Sequence, residues 1–129
     1  MTTELALTIL PGIYAVSRLP SEAIIPDWAL GSQFASITRT DEELSILCPQ
    51  KCVPNGVQHE PDWRCLKVEG PLSFSLTGVM ASLLGPLAEA KVSVFAISTY
   101  NTDYILVKAE SLKEAINALL AAGHDVKAI

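Results

Sequence analysis

The stretch from Val92 to Val107 reads VSVFAISTYNTDYILV. Residues 92–98 and 104–107 are rich in β-branched and aromatic side chains, whereas residues 99–103 are polar. Because such apolar side chains favour strands and polar residues favour the turn between them, the stretch predicts a strand, a turn and a second strand. The remaining elements of the fold can be placed around this pair.

A strand and a helix are predicted before this pair. Residues 63–68 (WRCLKV) alternate between apolar and polar side chains and lie between Pro61 and Gly70-Pro71, as expected of a strand that Phe74 and Leu76 would extend. A helix starting near Thr77 is then predicted by apolar residues spaced three and four places apart, namely Val79, Met80, Leu83, Leu84 and Leu87. Because proline removes a helical hydrogen bond, Pro86 predicts a bend or a break in this helix.

A second helix and a last strand are predicted after the pair. Ser111-Leu112-Lys113-Glu114 matches a capping box, and an apolar face continues through Ile116, Leu119 and Leu120 toward Gly123. Residues 125–129 fit a short final strand. The order βαββαβ predicts the α+β class and a ferredoxin-like fold, with helices on one face of an antiparallel sheet.

The N-terminal half repeats part of this pattern at an offset of about sixty residues. Residues 37–38 and 44–47 align with 97–98 and 104–107, and polar residues lie between them in both copies. Upstream, residues 13–19 predict a strand and residues 26–30 at most one helical turn, because Pro20 and Pro26 exclude a long helix. Residues 49–62 have the composition of a loop. We therefore expect two tandem lobes, a reduced one at 1–60 and a complete one at 61–129.

Composition excludes several classes of partner. The formal charge of −5 and the pI of about 4.9 disfavour binding to nucleic acid. No apolar run is long enough to span a bilayer, and residues 1–4 lack the basic start of a signal peptide. An odd count of three cysteines argues for a reducing compartment. We expect a cytoplasmic protein without nucleic-acid or membrane partners.

Metal binding and catalysis are weakly indicated. Cys48, Cys52, Cys65 and His59 have the chemistry of a zinc site, but their spacing is wider than structural zinc sites use, and Cys48 and Cys65 fit better as small buried residues within strands. Neither histidine lies in a catalytic motif, and a positively charged His124 would suit the end of the final helix. We expect neither an enzyme nor a cofactor or metal site.

Several segments resemble the small tandem ACT-domain proteins of bacteria. They are residues 74–80, 87–90 and 92–107, together with 34–40, 43–48 and 63–68. The resemblance extends from Leu5 to His124. It implies kinship with the regulatory domains of aspartate kinase and the mammalian cytosolic arginine sensor, in which ACT domains pair side by side and bind amino acids at the shared interface.

The resemblance also implies a ligand site between the loop that opens the first helix and the strand-turn-strand region of a partner domain. Carried over to this sequence, that site comprises Ser75, Leu76, Thr77, Gly78, Val79, Thr99, Tyr100 and Asp103. The backbone amides of the helix start would receive a carboxylate, Asp103 an ammonium group, and Tyr100 would cover the apolar part. The same residue types equally suit a helix cap and a hairpin turn.

Two functions are therefore open. The first is a regulatory sensor that binds a small amino acid or similar zwitterion and forms a homodimer, since a symmetric pair is the commonest oligomer. The second is an interaction module without a small ligand, which regulates a partner enzyme through the same surface.

Overall fold

The computed structural model describes residues 4–70 and 78–128, which form two compact units. One unit is Gly12–Trp63, and the other combines the residues up to Pro11 with those from Arg64 onward. The N-terminal residues therefore group with the C-terminal unit. That the chain consists of two tandem lobes divided near residue 60, the first a reduced ACT-like one, stays a prediction.

The described residues contain eight strands, two α-helices and three short 3₁₀ turns. The strands are β1 (Ala6–Ile9), β2 (Tyr14–Leu19), β3 (Ser36–Arg39), β4 (Leu44–Pro49), β5 (His59–Val68), β6 (Val94–Ser98), β7 (Asp103–Lys108) and β8 (Asp125–Ala128). The helices are α1 (Val79–Glu89) and α2 (Leu112–Ala121), and the 3₁₀ turns are Asp27–Ala29, Gln50–Cys52 and Ala109–Ser111.

The C-terminal unit confirms the predicted ferredoxin-like α+β fold. Strand β5, α1, β6, β7, α2 and β8 follow one another in the predicted order, and the sheet runs β8-β1-β5-β7-β6. The additional strand β1 lies between β5 and β8, antiparallel to the first and parallel to the second. The sequence does not predict this strand, since four residues carry little periodicity.

Both helices bury their apolar stripes against the sheet of this unit. Leu83 and Leu87 of α1 and Leu119 of α2 are fully buried in one core with strand residues. The strand residues of this core are Leu7, Leu66, Val68, Ile105 and Val107. Leu7 is central to it, so burial of its side chain stabilises β1 in the sheet by about 1.5–3 kcal/mol.

Helix α1 continues through Pro86 and ends at Glu89, so of the predicted bend or break the break is wrong, and the bend stays a prediction. A proline at position 86 supplies no amide for the carbonyl of Ser82, four residues earlier. The ring Nε2 of His124 lies 2.9 Å from that oxygen and takes the place of the missing donor. A long-range hydrogen bond therefore compensates the helix locally.

His124 itself is 4% exposed and is held at both ring nitrogens. The backbone N–H of Leu5 donates to Nδ1 over 3.1 Å, which requires an unprotonated Nδ1, and Nε2–H then donates to Ser82. The bonded form is thus the neutral ring. A positively charged ring, which would suit the helix end, could not accept the hydrogen bond from Leu5.

Two other local predictions are corrected. Ser111 makes no side-chain capping bond, because the 3₁₀ turn at Ala109–Ser111 leads directly into α2 and Ser111 lacks the extended backbone of a capping residue. Strand β5 begins at His59, within the segment predicted as loop. Its pairing with β2 passes a bulge near Pro61, where a proline is tolerated in a strand.

The unit Gly12–Trp63 is an antiparallel sheet in the order β3-β4-β2 with the first half of β5. Its core contains Ala29, Leu44, Ile46 and Cys48. The structure describes all of residues 12–63, and their helical segments are 3₁₀ turns without any α-helix. The predicted limit of one helical turn near Pro26 is therefore confirmed, since the turn covers Asp27–Ala29.

Candidate functional site

Gly78 and Val79 begin α1, whereas Ser75, Leu76 and Thr77 lie outside the described residues. Gly78 is the N-terminal capping residue and has φ 79° and ψ 0°, a left-handed conformation that glycine adopts without steric cost. The first helical hydrogen bond joins the N–H of Ser82 to the carbonyl of Gly78. The amides of the first turn precede this bond and have no acceptor within the helix. They are donors of the kind that bind anions.

The second group of predicted site residues forms the turn between β6 and β7. The backbone N–H of Thr99 donates to the carbonyl of Thr102 over 2.8 Å, and the Thr99 hydroxyl donates to the same oxygen over 3.0 Å. Tyr100 projects from the turn and is 82% exposed. These bonds fix the turn and leave the Tyr100 ring largely in solvent.

Asp103 begins β7 directly after this turn. Its Oδ1 accepts a hydrogen bond of 2.7 Å from the Ser98 hydroxyl, whose residue is its register partner on β6. Within residues 4–70 and 78–128, no other hydrogen bond or ion pair engages the carboxylate of Asp103. One oxygen is thus oriented by the hairpin, and the other is open to a donor.

Thr102 connects the turn to the end of β5. Its side chain is 4% exposed, and its hydroxyl donates to the carbonyl of Val68 over 2.6 Å. Val68 is the last residue of β5, and the chain reaches α1 ten positions later at Gly78. The turn therefore lies beside the strand end from which the chain leads to the helix start. In the sequence Thr102 is only one residue of the polar turn, because a hydrogen bond to a distant partner leaves no local pattern.

Glu69 is an acidic residue at the same strand end that sequence analysis did not select. Its Oε2 accepts a hydrogen bond of 2.8 Å from the Thr8 hydroxyl, and its backbone N–H donates to the carbonyl of Ala6. Both contacts involve β1, the inserted strand. Glu69 is therefore placed at the end of β5 beside the β6–β7 turn by contacts to β1, which the sequence does not predict as a strand.

Two of the three cysteines are buried thiols. Burial raises the pKa of Cys65 to about 12, and burial together with the neighbouring Cys52 raises the pKa of Cys48 to about 11. Both thiols therefore carry a proton at neutral pH and are weak nucleophiles. Within residues 4–70 and 78–128, no group of three or more His, Cys, Asp or Glu side chains is arranged to hold a metal ion.

His59 has a local role at the start of β5. Its Nδ1 lies 2.7 Å from the carbonyl oxygen of Val57 and donates to it. The other ring nitrogen has no hydrogen-bond partner among the residues that the structure describes. Among the described helices, none has the length and apolar character needed to cross a membrane.

Comparison with protein families gives two matches along the chain. The model of the ACT domain matches residues 58–121. A model of a separate N-terminal domain matches residues 12–56. The first match covers β5 through α2, the part that contains Gly78, Val79, Thr99, Tyr100 and Asp103.

Comparison with known proteins identifies relatives of two kinds. The human cytosolic arginine sensor for mTORC1 subunit 1 is 40% identical over 58 residues, which are 44% of this chain and only 18% of the sensor. A protein of Agobacterium tumefaciens with a solved structure is 38% identical, with a TM-score of 0.94 over 99% of this chain and 96% of that one.

The regulatory subunit of aspartate kinase from Thermus flavus shares the fold. Its TM-score is 0.62 at 12% identity, and the match covers 94% of this chain and 97% of the subunit. At that identity the likeness concerns the fold alone. The match of residues 58–121 to the ACT domain model shows that the chain belongs to the ACT domain family.

Proposed function

We propose that this protein is an amino-acid-binding regulatory protein without catalytic activity of its own. The observation that carries the proposal is the buried hydrogen bond from Thr102 to Val68, which holds the β6–β7 turn beside the strand end that leads to α1. The hydrogen-bond donors at the start of α1 and the negatively charged carboxylate of Asp103 thus belong to segments that meet at this strand end. A zwitterion needs both kinds of group.

The proposed contacts follow from the ionic groups of an amino acid. The first-turn amides at Gly78 and Val79 bind the ligand carboxylate, favoured by the positive end of the helix dipole. The open oxygen of Asp103 binds the ammonium group, because Ser98 occupies the other oxygen. Thr99 supports the turn, and Tyr100 covers the apolar part of the ligand. Ser75, Leu76 and Thr77 complete the helix-side loop in this proposal.

The sensor that resembles residues of this chain is named for arginine. The matched part spans only 18% of that sensor, so arginine is not carried over as the ligand of this chain. The proposed ligand is a small amino acid of unspecified side chain. We further propose a cytoplasmic homodimer, whose shared interface completes the site. The free state of Cys48, Cys52 and Cys65 accords with a reducing compartment.

Thermal unfolding in the presence of each of the twenty amino acids tests the proposal. A ligand at 100 times its dissociation constant adds about 2.7 kcal/mol to the free energy of unfolding, which raises the melting temperature measurably. Isothermal titration calorimetry then gives the affinity of any amino acid that shifts the transition. No shift with any of the twenty would contradict the proposal.

Asp103→Asn separates ligand contact from structural support. Asparagine keeps an oxygen for the Ser98 hydroxyl but loses the charge, so we expect affinity to fall about 10- to 100-fold, as for loss of a charge-assisted hydrogen bond. Asp41→Asn is the matched control, since Asp41 is exposed in the turn between β3 and β4. Equal affinities of the two variants would exclude Asp103 from the site.

The alternative function is an interaction module that regulates a partner enzyme without a small ligand. The largely exposed Tyr100 favours it, because a ring on a turn tip can insert into a partner surface. Under this alternative, no amino acid changes thermal stability, and Tyr100→Ala weakens capture of a partner enzyme while Asp103→Asn does not.

A further inference from the structure

The segment between β2 and β3 exposes apolar side chains to solvent. Ile24 is 90% exposed, and Ile25 and Leu30 in the same segment are 38% and 56% exposed. Apolar side chains scattered singly on a surface are ordinary, whereas neighbouring ones mark interaction sites. These three residues, here named the Ile24 surface, belong to the unit Gly12–Trp63.

Hydrogen bonds and core contacts hold this segment in place. The guanidinium of Arg39 on β3 donates to the carbonyl oxygens of Ser21 and Ala23, the second over 2.9 Å. On the other side of the exposed isoleucines, Ala29 is fully buried and Trp28 packs against the same core. A segment braced at both sides cannot turn its isoleucines inward without breaking these contacts. It also has little conformational freedom left to lose when a partner binds.

The charges within this segment are acidic. Glu22 and Asp27 are exposed and flank the isoleucines in the chain, and residues 19–38 contain no lysine or arginine. Arg39 directs its guanidinium at backbone carbonyls of the segment. A symmetric contact between two copies would bring both sets of carboxylates around one apolar centre, where like charges repel. The same carboxylates repel an anionic membrane or a nucleic acid.

We infer that the Ile24 surface docks into an apolar pocket of another protein, and that lysine or arginine side chains surround that pocket. Ile24 fills the centre of the pocket, because desolvated contacts at the centre of an interface carry most of its binding energy. Glu22 and Asp27 meet the basic rim, which fixes orientation and raises the association rate. The inference goes beyond the proposed function, since it assigns binding to the unit Gly12–Trp63 and requires no amino acid.

Photo-crosslinking identifies the partner and the chemistry of its contact surface. The full chain with p-benzoylphenylalanine in place of Ile24 is irradiated in its native cells, and the crosslinked peptide is sequenced by mass spectrometry. We expect one protein, crosslinked at a region with apolar side chains beside lysine or arginine. A second copy of this chain, a phospholipid, a nucleic acid or an acidic region would overturn the inference. So would a product no stronger than that from the same crosslinker at Leu120, which is 48% exposed on α2.

Isothermal titration calorimetry with the purified partner then tests the contact itself. Ile24→Asp should weaken binding at least about tenfold, whereas Leu120→Asp, the matched change on α2, should bind like the unmodified chain. Glu22→Lys combined with Asp27→Lys should also weaken binding and reduce its dependence on salt. Circular dichroism checks that each variant is folded.

Equal affinities of I24D and L120D would overturn the docking role of the Ile24 surface. Unchanged affinity in the double lysine variant would overturn the basic rim. Amino-acid binding by I24D is measured separately by thermal shift and should equal that of the unmodified chain. The proposed function and the docking surface can therefore fail independently.

Discussion

Replacing His124 with alanine should destabilise the C-terminal unit through two separate backbone groups. The variant removes the acceptor for the N–H of Leu5 and the donor for the carbonyl of Ser82. Leaving a buried polar group without a partner costs about 1–3 kcal/mol. Because both contacts are only partly buried, we expect H124A to lower the free energy of unfolding by about 2–4 kcal/mol.

Pro86 makes the two contributions separable. In Pro86→Ala, the new amide at residue 86 can donate to the Ser82 carbonyl within the helix, so His124 is no longer its only donor. Replacing His124 in that background then costs only the Leu5 contact. We expect H124A to be about 1–2 kcal/mol less destabilising in the P86A background than in the unmodified chain, a coupling that a double-mutant cycle measures.

Urea unfolding followed by circular dichroism provides the measurement. With a slope of about 2 kcal/mol per molar urea, H124A should lower the midpoint by about 1–2 M. His59→Ala is the control, because that ring is exposed and bonds only to nearby Val57, so we expect less than about 1 kcal/mol. A small effect of H124A, or an equal effect in both backgrounds, would refute the role of His124 as the donor that Pro86 lacks.

Three further results are expected. In thermal unfolding, Gly78→Ala should lower the free energy of unfolding by about 1 kcal/mol, and Gly85→Ala should raise it by a similar amount. Of these two glycines only Gly78 has a positive φ, and an added Cβ meets no atom within 4 Å at either position. Changes of the same sign in both variants would contradict this. Thr102→Val should lower the free energy of unfolding by about 1–3 kcal/mol, and Thr102→Ser should lower it much less, since serine keeps the hydroxyl that donates to Val68. Similar losses of stability in both variants would show that packing of the Thr102 methyl group matters more than this hydrogen bond. At pH 8 a thiol reagent should quickly modify Cys52 in the native chain, and Cys52→Ser should abolish this rapid reaction. The thiols of Cys48 and Cys65 are buried and have raised pKa values, so they should react slowly. Rapid labelling of all three thiols would refute this.

The hairpin and the two helices of the C-terminal unit were predictable because their signals are local. Residues 92–107 combine strand-forming ends with a polar centre, and the structure has β6 and β7 within two residues of the expected bounds. The stripes of α1 and α2 bury Leu83, Leu87 and Leu119 as expected, whereas Leu120, which was predicted on the apolar face of α2, is 48% exposed. The capping box at Ser111 failed for the opposite reason, since a motif of four residues does not reveal the 3₁₀ turn that precedes the helix.

The candidate site was predictable only in part. Resemblance to ACT proteins selected Gly78 and Asp103, whose positions at a helix start and a strand start follow from local patterns. Thr102 and Glu69 escaped selection, because their partners, Val68 and Thr8, lie 34 and 61 residues away in the chain. Periodicity carries no information about such partners.

The α+β class and the order of elements from β5 to β8 follow from local patterns in the chain. Those patterns are side-chain spacings of two, three or four residues, which can be recognised without knowing what each side chain contacts. The insertion of β1 between β5 and β8 and the continuation of α1 through Pro86 became evident only in the folded chain. Both outcomes depend on hydrogen bonds between distant residues, such as His124 with Leu5 and Ser82, which form only when the chain has already brought them together.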